Sequence, residues 1–442
     1  MTYTEGDTPL IGTTPPGPYT KKKDSLTFGI EIEFAVAAIP TGMPDPHPED
    51  GRTVVGLLDG THEPSVSGWI KNAIRHIGIA LIEVGISVEK TEPKSVPISQ
   101  NAWGITTDES ICAPEHRLYN WVPIEINSPA YYYSETSAER ALDEIKIVCE
   151  TLTSKFRISC NLSSGLHVHV GNGNNAFLFE TVRNLMATIW TFEPQFEEIH
   201  PQYRRDNLTY CPGYREGSVL GLQKHLRRER NTIRKLQGTT VVVDERGFER
   251  NEDLRTYGGE PISLLDGNRY DLEPDVQDGL ERLLKAESVA EIIYLSRTHD
   301  RTASASGGWK IAYHLGDVEY RLDGSGNGSH KKRTIEFRQH RSTLDFDAVE
   351  NWVRFCVLLV NFADVVDDGV LEGWLRRHIG DVPAEYPLAR VLEKMGMPWL
   401  AYWYPLKIAE AGMQPVPVHP ERVLYHIMSE LQRAWDTGQE EW

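Results

Sequence analysis

The sequence lacks any pairing pattern for its cysteines. Five are scattered over 442 residues, at positions 112, 149, 160, 211 and 356, with no C-x-x-C among them. An odd, dispersed set excludes a disulfide framework or a thiolate zinc site as an organising feature and fits a reduced intracellular compartment. Long apolar runs are missing too. The most apolar stretch, 355–366, is broken by Asn361 and Asp364 and falls short of the roughly 20 residues that span a bilayer. Residues 1–19 carry no apolar export segment. Positive charge is scarce: 46 Lys+Arg against 64 Asp+Glu give a net charge of −18. Phosphate backbones need excess positive charge, so a whole-surface nucleic-acid binder is excluded, whereas a local metal–nucleotide pocket is not. These absences predict a soluble cytoplasmic protein without nucleic-acid or membrane partners. They leave its oligomeric state open.

What is present divides into a disordered lead-in over 1–24, a main domain over 25–380 and a helical extension over 381–442 packed on that domain. A strand is expected over 26–39. Ile70, Ala73, Ile74, Ile77 and Leu81 repeat at helical spacing. A second helix shows capping-box spacing at Thr136 and Glu139, followed by the stripe Ala141, Leu142, Ile145, Val148, Cys149, Leu152 and Phe156. A strand-like run follows over 157–171, then a helix over 177–199 with Val182, Leu185, Met186 and Ile189 inward. Two strand-like runs, 310–322 and 333–340, flank a Gly-rich connection at 323–329 that lacks the Lys-Ser/Thr of a P-loop. Helices dominate from 347 onward, with Trp352, Phe355, Leu359 and Phe362 inward. Segments 40–65 and 238–279 read as long loops and candidate lids, and the basic run 224–235 as a solvated helix face. Parallel strands covered on both faces are almost wholly apolar, and these are not. The expected class is therefore α+β, an antiparallel sheet backed by helices.

Four strand-like runs share one feature. Glu31 and Glu33 alternate with aliphatics, as do His167 and His169, Glu125 and Asn127, and Glu336 and Arg338. Strand side chains alternate between faces, so each run puts its polar pair on one side. If the strands are neighbours, one face gathers Glu31, Glu33, Glu125, His167, His169, Glu336 and Arg338. Crowded carboxylates raise one another's pKa unless cations sit among them. An oxygen-rich set with an imidazole suits magnesium or manganese carrying phosphate, and a guanidinium beside it suits phosphate oxygens.

Three blocks, Phe28-Gly-Ile-Glu-Ile-Glu-Phe34, Ser164-Gly-Leu-His-Val-His-Val-Gly171 and Thr334-Ile-Glu-Phe-Arg-Gln-His340, resemble in order the marker strands of the amidoligase family. That family belongs to the carboxylate–amine ligase group with glutamine synthetase and glutamate–cysteine ligase. Residues 103–110 and 122–129 look like its Trp…Asp-x-Ser and Glu-x-x-Ser-Pro segments, and Thr343-Leu-Asp345 with Trp352 like its continuation. The resemblance implies the curved antiparallel sheet of the glutamine synthetase catalytic domain, with helices on its convex face. It implies ATP and Mg2+, or Mn2+, as cofactors. Glu33, joined by Glu125, would hold a metal near the amine and acyl groups. Glu31, His167 and Glu336 would hold the metal bridging the ATP phosphates. His169 would face those phosphates, Arg338 would steady the transferring phosphoryl group, and Glu33, Glu336 and Arg338 would carry catalysis. Arg204 or Arg205, in a further similar segment, would hold the nucleotide or a substrate carboxylate.

Two departures bear on substrate choice: Ser342 stands where many members have Gly in His-x-Gly-Thr-Leu-Asp, and His314 where Asn is expected. The implied reaction is ATP-dependent amide-bond formation through an acyl phosphate. The substrates would be an amino acid, peptide or small-molecule carboxylate and an amine. Competing readings are a metal-dependent hydrolase built on His167-x-His169 and the glutamates, a non-catalytic member of the fold, and a guanidine kinase sharing the first half-reaction. A thioester route through Cys160 or Cys211 is disfavoured, since neither has a base beside it in sequence.

Overall fold

The computed structural model describes residues 26–40, 42–56, 66–89, 101–114, 118–173, 175–205, 211–221, 276–297, 311–315, 318 and 333–410. The expectations for 1–24, 224–235 and 323–329 lie outside these residues, as do most of those for 238–279 and the part of the extension beyond 410.

Among the described residues eight strands form one open antiparallel sheet: β1 (Thr27–Ala38), β2 (Gly104–Thr106), β3 (Asn120–Asn127), β4 (Tyr131–Tyr132), β5 (Ile158–Ser159), β6 (Gly165–Gly171), β7 (Tyr313–His314) and β8 (Thr334–Arg341). The order is β2-β3-β1-β6-β8-β7, with β4 and β5 also paired to β1. The protein is thus α+β with an antiparallel sheet. The helices among the described residues are α1 (Val66–Glu83), α2 (Glu135–Lys155), α3 (Phe179–Glu197), the short α4 (Gln202–Arg205) and α5 (Tyr214–Gly217), α6 (Val276–Leu284), α7 (Val289–Leu295), α8 (Phe346–Val365), α9 (Asp368–His378), α10 (Leu388–Lys394) and α11 (Pro398–Glu410).

One sheet face is aliphatic and dry. Ile30, Ile32, Phe34, Ile124, Ile126, Leu166, Val168, Val170, Ile335 and Phe337 are all buried there. They pack with α1 and α8, and α3 lies against α8 in turn. Trp352, Phe355, Leu359 and Phe362 of α8 are buried as their spacing predicts. Pro194 sits within α3, where Phe192 leaves helical geometry, so that helix is kinked. No helix among the described residues is long and apolar enough to cross a membrane.

Four local expectations change. The cap of α2 is Ser134, whose hydroxyl accepts from the Ser137 amide at 3.3 Å, so Thr136 lies inside the helix. The run 157–171 is two strands: Asn161 Oδ1 accepts from the Ser163 amide at 2.9 Å and folds a turn between β5 and β6. The run 310–322 is reduced, within the described residues, to the two-residue β7. Loop 42–56 is tied down rather than lid-like. Buried Arg157 bonds Asp45 at 2.7 Å and pairs with Asp50 at 3.1 Å, and Val55 bonds the Ala37 carbonyl.

Ser134→Ala should lower stability by about 1 kcal/mol through the lost cap, and Ser134→Asp should retain most of it. Thermal or urea unfolding checks both.

Candidate metal and phosphoryl-transfer site

The opposite sheet face holds the polar pairs. Register places Glu33 beside Glu125, Glu31 beside Asn127 and His167, and Glu336 between His169 and His314. All seven residues expected on one face are on it, drawn there by strand alternation alone.

Two groups of side chains come close enough to share an ion. In Glu31, His169 and Glu336, one ligand atom from each lies within 4.8 Å of the others, and the same holds for Glu33, Asp108 and Glu125. His169 Nδ1 lies 3.0 Å from Thr334 Oγ1, which orients Nε2 toward Glu31 Oε1 at 3.0 Å. The first group therefore contains His169, where the family resemblance implied His167. His167 instead stands between the groups, with Nδ1 3.3 Å from Glu31 and 3.6 Å from Glu336, and Nε2 3.6 Å from Glu33. Asp108 was not among the expected site residues. Its Asp-x-Ser segment was visible, but it lies off the strands, so alternation gave no signal. Ser110 donates its amide to Asp108 Oδ1 at 2.7 Å and shapes the turn that carries it over the face.

The two groups differ in electrostatics. Burial disfavours the Glu336 charge, yet Arg338, His169 and His314 more than offset it and hold its pKa well below the usual carboxylate range. Arg338 bonds Glu336 Oε1 directly, and His314 Nδ1 lies 3.1 Å from Oε2. Burial also works against Arg338, but Glu336, Glu33 and Glu31 push its pKa up overall. Among the described residues Glu125 has no such cation beside it. Burial first, then the charges of Glu31, Glu33 and Asp108, push its pKa up to about 8, against the 2.9 Å hydrogen bond from Asn127. A partly buried cluster of hard oxygen donors short of positive charge fits a divalent cation such as Mg2+ or Mn2+.

Backbone irregularities aim these groups. Along one edge of β1, β6 pairs through Ile32 and β5 resumes at Ala35. In that gap the Gly165 amide donates to Glu33 Oε2 at 2.6 Å, and the Ser342 hydroxyl donates to the Glu33 carbonyl. Ser342 therefore fills a gap in the ladder. A bulge in β8 sets Val168 opposite Phe337 but Leu166 opposite His340. Arg204 holds that bulge: Nη2 donates to the Arg338 carbonyl at 2.7 Å and Nε to the Gln339 carbonyl at 3.1 Å. It is 2% exposed. Arg205 donates to the His200 carbonyl at 2.9 Å. Both arginines thus donate to backbone carbonyls. Burial raises the thiol pKa of Cys160 and Cys211, which disfavours thiolate chemistry at either.

Residues 24–245 match the family model described as "Putative amidoligase enzyme". The match spans half of the chain. This protein belongs to the amidoligase family. The matched span holds Glu31, Glu33, Asp108, Glu125, His167 and His169, while Glu336 and Arg338 of this amidoligase lie beyond it. No curated protein matches the chain.

Glu125 yields a pH prediction. Its folded pKa of about 8 exceeds the ordinary 4.5, so between those values the folded state binds the extra proton. Its contribution to stability is complete below pH 4.5 and is lost as pH rises toward 8. Metal-free protein should lose thermal stability across that window, and Glu125→Gln should flatten the loss. Mn2+ should raise Tm more at pH 8 than at pH 6, measured by differential scanning fluorimetry.

Proposed function

We propose that this amidoligase is an ATP-dependent carboxylate–amine ligase that forms an amide bond through an acyl phosphate, on a sheet of glutamine synthetase catalytic-domain type. The observation that carries the reading is the gathering of two carboxylate clusters and Arg338 on one face of a sheet whose chain belongs to the family.

A carboxylate is a poor electrophile because resonance spreads its charge. In the first step its oxygen attacks the γ-phosphorus of ATP and ADP leaves. In the second the amine nitrogen attacks the acyl carbon, phosphate leaves, and the nitrogen gives up a proton. Divalent cations, when bound, supply the positive charge that lets anionic phosphates approach the carboxylate face. Glu31, His169 and Glu336 would hold one beside the phosphates, with His167 close by; Glu33, Glu125 and Asp108 would hold another beside the acyl and amine groups. Arg338, fixed by Glu336 and aimed by the bulge that Arg204 holds, would neutralise charge on the transferring phosphoryl group.

The hydrolase alternative needs His167 and His169 to act together on zinc. Neither metal-competent group among the described residues contains both imidazoles, and carboxylates predominate in each. The ligase reading is therefore the better supported.

ADP release from ATP with Mg2+, across pooled carboxylic acids and amines, tests it. Release should require an acid, and Glu33→Gln and Arg338→Ala should each lower it on the order of 10²-fold or more. Absence of release with every pool, together with no calorimetric nucleotide binding, would sink ATP-driven ligation.

A further inference from the structure

Four arginines lie toward the carboxyl end of β8, and three are engaged. Arg204 donates to the Arg338 and Gln339 carbonyls, Arg205 to the His200 carbonyl, and Arg338 to Glu336. The fourth, Arg341, is exposed and forms no ion pair with any described residue. Its place in the sheet is informative. Arg341 pairs with Gly165, and the Gly165 amide bonds the Glu33 carboxylate. Because Glu31 pairs with His167, Glu33 comes level with Gly165 in the same register. One row across five strands therefore reads Thr106, Glu125, Glu33, Gly165, Arg341.

That row runs from the acidic cluster of Glu33, Glu125 and Asp108, past Gly165, whose missing β-carbon leaves room for the His167 ring and the Arg204 guanidinium, to the guanidinium of Arg341. Two strand spacings put the Glu33 and Arg341 α-carbons about 10 Å apart. The bulge keeps this alignment. It places His340, opposite Leu166, on the aliphatic face, where it packs against Trp352. Arg341 thus returns to the polar face, as Arg338 does. The Arg341 charge also acts on the Tyr203 phenol and the Cys160 thiol, so it bears on the rim formed by α4 and the 160–164 turn. The similarity to other amidoligases leaves position 341 unspecified, as the x of His-x-Gly-Thr-Leu-Asp.

We propose that Arg341 is a substrate-binding residue that holds a second carboxylate on the acyl substrate. The substrate class is then a dicarboxylic acid or acidic amino acid, its reacting carboxyl toward Glu33 and its other carboxylate on the guanidinium. The inference rests on the ligase reading for the word "acyl". The chemistry of Arg341 itself, a planar fork matched to a carboxylate, stands apart from it.

The test is calorimetric titration of Mn2+-saturated protein with glutarate and L-glutamate, and with butyrate as the single-carboxylate control. The same samples are assayed for ADP release. The native chain should bind at least one of the two diacids at least tenfold tighter than butyrate. Arg341→Gln should remove that preference while leaving Mn2+ affinity and Tm unchanged, and Arg341→Lys should retain part of it. Equal or absent binding of all three acids to the native chain, or an unchanged preference in Arg341→Gln, would overturn the proposal. Arg341-dependent diacid binding without ADP release under any condition would support the carboxylate site while counting against the ligase reading alone.

Discussion

Repulsion between buried carboxylates is the constraint on which the rest of this molecule depends. Glu31, Glu33, Asp108, Glu125 and Glu336 share one sheet face, and Glu33 is only 3% exposed. Water screens charges poorly in such a place, so a crowd of carboxylates there calls for positive charge or protons among them. The two ends of the face resolve this differently. Glu336 is surrounded by Arg338, His169 and His314 and stays ionised. Among the described residues Glu125 draws hydrogen bonds from the Asn127 amide and the Thr106 hydroxyl, and burial with the charges of Glu31, Glu33 and Asp108 favours its protonated form. A fold that keeps such a cluster has accepted a cost that a structural ion pair would not impose. That asymmetry is the physical mark of a site, as distinct from a merely polar surface.

The scaffold answers with stiffness. β1 is the hub, bonded along one edge by β3 and β4 and along the other by β6 and β5. Where each edge changes partner, a side chain replaces the missing ladder bond. Ser128 accepts from the Ile30 amide at 2.9 Å on one side, and Ser342 serves the Glu33 carbonyl on the other. Glu144 of α2 accepts from both Trp103 and Tyr131 at 2.7 Å, anchoring the segment that leads to Asp108. Asp345 caps α8, and Trp352 lies in the core behind the bulge. Several residues that carry the family resemblance thus support the site without touching it.

The strand residues were legible in the sequence because alternation is a local rule: knowing that Glu31 and Glu33 lie two apart is enough to put them on one side. The pairing of His169 with Glu31 and Glu336 was not legible. Which of two imidazoles reaches a neighbouring carboxylate depends on register and on the hydroxyl of Thr334, both set across strands. The bonds of Arg204 were hidden for a related reason. A basic residue in a polar segment suggests an anion, yet here the acceptors are backbone carbonyls freed by a bulge that no composition reveals. Asp108 was hidden by its loop, whose course over the face is fixed by tertiary bonds such as that of the Cys112 amide to Ser163 at 2.8 Å.

His167 is what keeps the face from being a single pool of charge. Its two nitrogens look in different directions, Nδ1 toward Glu31 and Glu336 and Nε2 toward Glu33. Gly165 permits this: a β-carbon there would come within 2.7 Å of His167 Nε2, so any larger residue would push the ring from its place. A ring so placed separates the donors into two sets of three, one on either side of it. Two cations held there would stay distinct, each with its own carboxylates, and would not merge on a shared set. The ligase chemistry proposed above would have that requirement, since positive charge would be needed first at the phosphates and then at the acyl group. The imidazole between the clusters and the glycine that makes room for it are therefore one device, written two residues apart on β6.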